Sequence, residues 1–132
     1  RKWHQAYPAF GKWHRECQQR ADMAEPVRTM LGRRRKLFGA DNRVTIHANN
    51  STQGSAADIM KAALIEIHRK LPETAWLIAV VHDEVLVECD EADGPTVLET
   101  VLYEMREAAV PFFGERVSLD ADGGVYASWG EK

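Results

Sequence analysis

The sequence has no apolar run long enough to cross a membrane. The longest uninterrupted apolar stretch, Ala75 to Val81, falls far short of the roughly 20 residues that a membrane-spanning helix needs. The basic, Trp-containing start also lacks the apolar segment of a signal peptide. We therefore expect a soluble, unexported protein that works in the cytoplasm and has no membrane partner.

Cysteine is scarce as well. Cys17 and Cys89 are the only two cysteines and form no Cys-x-x-Cys pair, which favours reduced thiols in an intracellular protein. The five histidines show no His-Glu-x-x-His motif and no paired-cysteine spacing, so a zinc site is not expected. Apart from His82, we expect the histidines to have ordinary surface or packing roles.

The chain lacks internal repeats and low-complexity linkers, and its 132 residues suit one compact domain. The net charge of -3 hides an asymmetry, because residues 1–70 carry a balance of +8 and residues 71–132 a balance of -11. The basic half could face a polyanion, and the acidic half could face metal ions or the basic half itself. Two solvated surfaces remain the alternative.

Hydrophobic spacing in the first third predicts a helix and a hairpin. A polar helix is expected from about Ala9 to Ala24, with Phe10, Trp13, Cys17 and Ala21 on one packed face, and it stops before Pro26. A β-hairpin is expected over Val27 to Phe38, with short apolar runs on either side of a glycine. The hairpin contains a basic cluster, Arg33-Arg34-Arg35-Lys36, which we expect to be exposed.

A long helix is predicted in the middle of the chain. Ser51 or Thr52 is a plausible N-cap, and the helix should end near Leu71, before a proline. Gln53 and Asp58 lie off its apolar stripe, and Gln53 would then lie in the first turn. The stripe consists of Ala56, Ile59, Met60, Ala63, Leu64, Ile67 and Leu71.

The second half predicts strands around a further helix. Strands are expected over Ala75 to Val81, Val85 to Cys89 and Arg116 to Leu119, with a helix from about Pro95 to Ala109 between the last two. The order of elements indicates an α+β fold, in which a small, mainly antiparallel sheet is packed by helices on one face.

Three titratable residues, His82, Asp83 and Glu84, separate the first two of these strands. A strand interior disfavours Asp, and a tight turn prefers Asn-Gly or Asp-Gly. Adjacent carboxylates repel each other, so the arrangement is costly unless a cation compensates. Mg²⁺ accepts one or two carboxylates, with the remaining ligands from water and substrate phosphates. A magnesium site is therefore one interpretation, and an exposed acidic turn is the other.

Several segments in the same order resemble one enzyme family. VVHDEVLVE resembles motif C of the family-A DNA polymerases, the bacterial DNA polymerase I family. NNSTQGSAADIMKAAL resembles the Asn-x-x-x-Gln-Gly-x-Ala-Ala-Asp segment that precedes motif C. YPAFGKWH and TMLGRRRKL resemble earlier family elements, and VPFFGERVSLDADGGVYASWG resembles the C-terminal end. The resemblance covers nearly all of the chain and implies a palm-type sheet with a motif-C hairpin.

By this resemblance the chain is part of a DNA-directed DNA polymerase that serves replication or repair. Asp83 would be one of the two metal-binding aspartates of a two-Mg²⁺ site, and Glu84 a nearby, less essential carboxylate and candidate ligand. His82 would lie against the primer end. The substrates implied are primer-template DNA and a dNTP.

The resemblance also implies contacts with duplex DNA. Asn49 and Gln53, four residues apart, would reach the minor groove or the sugars of the nascent duplex. Arg33, Arg34 and Arg35 match a basic hairpin of the family and are candidate DNA contacts, with a purely structural role or solvent exposure as the alternative. Many members have an Arg where this chain has Thr45, and the nearest candidate here is Arg43, two positions earlier.

The family's other catalytic aspartate and its nucleotide-binding fingers helix belong to an upstream region that these residues do not contain. We therefore expect the chain to be the end of the fingers and the C-terminal part of the palm, with an upstream segment or companion chain as its partner. A bacterial or phage-infected cell is the expected setting. The alternative is a non-catalytic polymerase remnant that binds duplex DNA or holds a partner.

Overall fold

The structure is a computed structural model that describes residues 2–131 and all of their side chains except those of Lys2, His4 and Glu115. It forms two compact units, one up to Asp58 and the other from Ile59 onward. No helix within the described range is both long and apolar enough to cross a membrane. The main elements are α1 (Lys2–Ala6), α2 (Pro8–Asp22), β1 (Val27–Arg28), β2 (Arg34–Arg35), α3 (Val44–Lys70), β3 (Ala75–Val81), β4 (Glu84–Cys89), α4 (Gly94–Glu107) and α5 (Val110–Phe113).

The first unit begins with α1, which the sequence did not predict, and α2, which it did. Helix α2 begins at Pro8, where a proline fits because the first helical amide needs no partner. Its buried side includes Cys17 and Ala21, whereas Phe10, on the same predicted face, is 41% exposed. The apolar side of α2 is therefore only partly covered.

The predicted hairpin around Gly32 is confirmed, but its strands are short. Val27 pairs with Arg35 and Arg28 with Arg34 in an antiparallel register. Gly32 lies in the connecting turn with φ of 79°, a conformation that glycine adopts without steric cost. Two residues per strand form a very small ladder, so further contacts must hold this hairpin in place.

Helix α3 begins at Val44, seven residues before the predicted cap. Ser51 and Thr52 are therefore not N-caps, and each hydroxyl donates instead to the Ala48 carbonyl, at 2.8 and 3.3 Å. Gln53 lies in the third turn of the helix and not in the first. Serine and threonine are common caps, but tertiary contacts override such local preferences.

A buried histidine and a half-buried asparagine explain the early start of α3. His47 is 2% exposed, and its Nε2 donates to Asn42 Oδ1 at 2.8 Å. Asn42 Nδ2 in turn donates to the Ala21 carbonyl at 2.6 Å. These bonds connect the first turn of α3 to the end of α2, so residues that were predicted to precede the helix are part of it.

The second unit is built on the antiparallel pair β3 and β4. Strand β3 covers the predicted residues, and a bulge interrupts its register between Leu77 and Ala79. Helices α3 and α4 pack on one face of the pair, and the buried core consists of Ala63, Ile67, Ala75, Val97 and Val101. Trp76, Ile78 and Val80 are exposed. The predicted α+β class is confirmed, with the strands in two hairpins.

One element of the second half was predicted wrongly, and one contact was not foreseen. Residues Gly114–Arg116 form a 3-10 turn, and no strand follows over residues 117–119. Val117 and Leu119 are exposed, and an extended segment without a pairing partner is not a strand. Glu104 on α4 is buried and accepts a hydrogen bond from Lys70 Nζ at 2.6 Å, a link between α3 and α4 that the apolar pattern did not indicate.

The apolar stripe of α3 also needs correction. Ile59, Ala63 and Ile67 are buried as predicted, but Ala56 is exposed. Asp58, which was placed off the stripe, is buried. A buried carboxylate needs a charged or hydrogen-bonding partner, and for Asp58 this partner is Arg33 of the basic hairpin.

Candidate metal centre and nucleic-acid interface

The acidic triplet lies at the tip of the β3–β4 hairpin. Val81 pairs with Glu84, which leaves His82 and Asp83 as a two-residue turn. His82 has φ of 58°, a left-handed conformation that is uncommon for residues other than glycine. His82 and Asp83 are exposed, whereas Glu84 begins β4 and is half-buried. The prediction that the triplet lies at the bend of a hairpin is confirmed.

The carboxylate of Asp83 makes no hydrogen bond or ion pair with any residue between 2 and 131. The same residues contain no cluster of three or more Asp, Glu, His or Cys side chains that could hold a metal ion by itself. Asp83 and Glu84 nevertheless supply the hard oxygen ligands that Mg²⁺ accepts. The donor set therefore fits part of a magnesium shell and needs ligands from elsewhere to complete it.

A polar pair on α3 forms the second candidate site. Asn49 and Gln53 are both exposed and lie one turn apart, with Asn49 Nδ2 donating to Gln53 Oε1 at 3.3 Å. The spacing of four residues places them on one face of the helix, as predicted. Both amides also have unused donor and acceptor capacity that can face solvent or a ligand.

An aromatic groove lies beside this pair. Helices α1 and α2 contribute Trp3, Phe10, Trp13 and His14 to an open groove of about 510 Å³ that Asn49 also lines. The rings of Trp3 and Phe10 are 4.4 Å apart, and those of Phe10 and Trp13 are 5.1 Å apart. The sequence predicted that Phe10 and Trp13 lie on the packed face of α2, and nothing in the helical spacing located the groove.

Arg33, the first residue of the basic cluster, is bound to α3. Arg33 Nε donates to Asp58 Oδ1 at 2.8 Å, and Arg33 Nη2 donates to the Gly54 carbonyl at 3.1 Å. The Arg33 side chain is 51% exposed, whereas that of Asp58 is 5% exposed. This ion pair compensates the buried charge of Asp58 and ties the hairpin to the helix.

The hairpin is also attached by a close contact between the Thr29 side chain and the backbone of α3 at Gly54. A Cβ on Gly54 would lie 2.8 Å from Thr29 Cγ2, which is closer than real Cβ contacts, so glycine is needed where the hairpin meets α3. The Met30 amide donates to Ser55 Oγ at 3.0 Å. Gly54, Ser55 and Asp58 therefore form a docking surface for the hairpin that sequence patterns did not reveal.

The other candidate arginines differ in their contacts. Arg35 Nη1 donates to Asn50 Oδ1 on α3 at 3.1 Å. The Arg34 side chain is exposed and makes no hydrogen bond or ion pair with the described part of the chain. Arg43 directly precedes α3, where its carbonyl accepts the amides of Ile46 and His47 at 3.0 Å each, and it too is exposed.

Comparison with known proteins identifies the family. The sequence model of DNA polymerase family A matches residues 1–131. The chain belongs to that family. It is 30% identical over 137 residues to the thermostable DNA polymerase I of Thermus filiformis, a match that covers 97% of this chain and 16% of that polymerase. It is 31% identical over 109 residues to DNA polymerase theta of Caenorhabditis elegans, with 77% of this chain and 7% of that protein covered.

A solved family-A structure has the same fold. The POL domain of Pol1 from M. smegmatis, in complex with DNA primer-template and dNTP, matches 80% of this chain with a TM-score of 0.66 and 26% sequence identity. The match covers 21% of that POL domain chain. The chain therefore spans a small fraction of the length of its family-A relatives.

Proposed function

We propose that this chain is the C-terminal palm part of a family-A DNA-directed DNA polymerase and contributes Asp83 to a two-Mg²⁺ nucleotidyl-transfer site. The observation that carries the proposal is the exposed Asp83 carboxylate at the tip of an antiparallel hairpin in a chain whose family match extends over residues 1–131. Its substrates would be primer-template DNA and a dNTP, as in the complex of the M. smegmatis relative.

The three tip residues have different tasks in this proposal. Asp83 holds metal through its carboxylate, and Glu84 contributes a weaker second contact because it is half-buried at the start of β4. His82 is exposed beside them and lies against the primer end. The chemistry that bound Mg²⁺ supplies is activation of the primer 3′-hydroxyl and neutralisation of charge on the triphosphate.

The nucleic-acid interface in the proposal is the exposed polar row of α3. Asn49 and Gln53 donate to the minor-groove acceptors that every base pair offers, so they sense the shape of the duplex without reading its sequence. Three exposed arginines of the first unit, Arg34, Arg35 and Arg43, supply positive charge for the phosphate backbone. The balance of +8 over residues 1–70 supports this assignment.

The chain needs a partner in this proposal. Asp83 and Glu84 form at most half of a two-metal site, and the resemblance places the second aspartate and the fingers helix in an upstream segment. Positioning and charge stabilisation provide nearly all of phosphoryl-transfer catalysis, so the chain alone should be inactive. Its bacterial relatives support the cytoplasm of a bacterial or phage-infected cell as the setting.

A primer-extension assay tests the proposal. The purified chain is assayed alone and mixed with a segment that carries the upstream aspartate and fingers helix, over a range of Mg²⁺ concentrations. Extension only in the mixture is the expected result. Extension by the chain alone would contradict the assignment of the second metal ligand, and duplex binding without extension in the mixture would show a non-catalytic polymerase remnant.

A further inference from the structure

The basic hairpin has two faces with different surroundings. Side chains alternate between the two faces of a strand, and every second residue from Arg33 onward is turned toward α3. Arg33 and Arg35 donate to α3, and Leu37 is buried. Arg34 and Lys36 alternate with these residues and therefore lie on the opposite face, and both are exposed. The four consecutive cations are therefore divided into an attached pair and an outward pair.

A third cation joins the outward pair. Arg28 on β1 lies directly opposite Arg34, and directly opposite residues of an antiparallel ladder lie on the same face. The one hydrogen bond of the Arg28 side chain within the described residues runs over 3.5 Å from Nη1 to the Gly32 carbonyl. We call Arg28, Arg34 and Lys36 the outer basic face.

The outer basic face has no internal source of compensating charge. None of its three cations forms an ion pair with any residue in the range that the structure describes. Like charges directly opposite each other destabilise a strand pair, and this ladder is only two residues long. A cross-strand arginine pair is therefore an unfavourable choice for the hairpin itself, and an anionic partner would offset that cost.

We propose that the outer basic face binds the phosphate backbone of duplex DNA, while Arg33 and Arg35 hold the hairpin on α3. This inference rests on the proposed function and adds Arg28 and Lys36 to the interface. Cations on two adjacent strands and directly after the second suit a linear array of phosphates. The charge of each cation remains available because the protein does not neutralise it. Sequence-independent phosphate contacts are what a polymerase needs on its duplex product.

The test is the salt dependence of duplex binding by the full chain. Fluorescence anisotropy of a labelled primer-template duplex is measured in a KCl series for the wild type and for Arg28→Gln, Arg34→Gln, Lys36→Gln and the triple variant. Each lost phosphate contact should lower the magnitude of the slope of log K against log[KCl] by about 0.9, and the triple variant by about 2.7. Because all three side chains are exposed, the variants should fold normally, which circular dichroism checks.

Lys61→Gln is the matched control, because it removes one exposed cation from α3 outside the hairpin. Its slope should equal that of the wild type. If the wild type binds duplex and the triple variant keeps the wild-type slope, or if Lys61→Gln lowers the slope as much as Arg34→Gln does, the outer basic face is not the contact surface although the proposed function stands. If the wild type shows no salt-dependent duplex binding, this inference fails, and primer extension by the mixture with the upstream segment decides the proposed function separately.

Discussion

The two hairpins of this chain are held in place by different physical means. The β1–β2 hairpin has two residues in each strand and depends on hydrogen bonds and an ion pair to α3. The β3–β4 hairpin has strands of seven and six residues and buries apolar side chains against two helices. The first hairpin carries cations and the second carries carboxylates at its tip.

This difference in how the hairpins are held shows which of their residues are available to bind a ligand. In the β3–β4 hairpin the packing lies along the strands, so the tip contributes little to stability and Asp83 can be committed to metal binding. In the β1–β2 hairpin Arg33 contributes to the attachment, so only part of its charge is available. The predictions below test this division, beginning with the largest expected effect.

Asp83→Asn should lower nucleotide addition by about a thousand-fold or more in the mixture with the upstream segment. The amide has nearly the same shape but lacks the charge that holds a divalent ion, and metal stabilisation of the transition state is worth several kcal/mol. The melting temperature should not change, because the side chain is exposed. Single-turnover incorporation at saturating Mg²⁺ measures the effect.

Two variants accompany this measurement. Glu84→Gln should cost less than Asp83→Asn, and Asp90→Asn, an exposed aspartate just beyond the far end of the same hairpin, should cost nothing. Near wild-type incorporation by Asp83→Asn would show that the tip carboxylate is not a metal ligand. The acidic tip of the β3–β4 hairpin would then differ from the basic hairpin in charge but would have no metal-binding role.

Ile67→Ala should lower the free energy of unfolding by about 3 kcal/mol, because it leaves a cavity in the core under β3 and β4. Ile67 is 0% exposed. Ile65 lies on the same helix but is 52% exposed, so Ile65→Ala should cost less than about 0.5 kcal/mol. Equal losses for the two variants in urea denaturation would show that the acidic hairpin is not held by this core.

Arg33→Gln or Asp58→Asn should each lower the free energy of unfolding by about 1–2 kcal/mol. Arg33→Gln leaves the buried Asp58 carboxylate without its guanidinium, and the half-exposed position of Arg33 keeps the cost at the lower end. The double variant should lose less than the sum, since the two residues interact directly. Arg34→Gln, on the opposite face of the hairpin, should change stability by less than about 0.5 kcal/mol.

Additive losses for Arg33→Gln and Asp58→Asn would show that the two residues stabilise the chain independently and not through their ion pair. No loss of stability in either variant would mean that the short ladder of β1 and β2 needs no attachment to α3.

Asn49→Ala and Gln53→Ala should each weaken primer extension or mismatch discrimination by about fivefold. This factor corresponds to the loss of one hydrogen bond that contributes about 1 kcal/mol. Both side chains are exposed, so the melting temperature should stay near that of the wild type. Gln19→Ala, an exposed glutamine on α2, is the control and should change neither property. Unfolding of Gln53→Ala would show that its amide is structural.

The smallest expected effect is a loss of stability of the first unit below neutral pH. Burial, with a further contribution from the nearby charge of Arg20, lowers the pKa of His47. The unfolded chain therefore binds a proton at a higher pH than the folded chain, so stability falls as pH drops below about 6.5. We expect a loss below about 1 kcal/mol between pH 7 and pH 6, measured by urea denaturation.

His47→Gln should abolish this part of the pH dependence, whereas His68→Gln, at an exposed position on the same helix, should keep it. The same pH dependence in wild type and His47→Gln would assign it to another group. The polar connection between α2 and α3 would then not depend on a neutral imidazole.

Apolar runs were sufficient to predict the β3–β4 hairpin. A seven-residue run of β-prone residues predicted β3 with its observed bounds, because a short apolar run indicates a strand without information from distant parts of the chain. The same run did not predict that Trp76, Ile78 and Val80 are exposed. The position of Asp83 in the turn followed from the pairing of two such runs. The resemblance to the polymerase family rested on the same stretch.

The attachment of the basic hairpin could not be predicted in this way. Arg33 and Asp58 are 25 residues apart, and neither the spacing of α3 nor the arginine run indicates that they meet. Asp58 was placed off the apolar stripe, although it is buried and its charge is compensated by Arg33. The early start of α3 was missed for a related reason, since the Asn42 and His47 contacts that stabilise its first turn are tertiary.

The backbone of His82 has a consequence for how this chain can be improved by mutation. A residue with a side chain at φ of 58° stores conformational energy that glycine would release. A selection for thermal resistance alone should therefore enrich His82→Gly. A selection for catalysis in the assembled polymerase should reject His82→Gly if the imidazole contacts the primer end. The turn is thus a position where robustness and activity select for different residues.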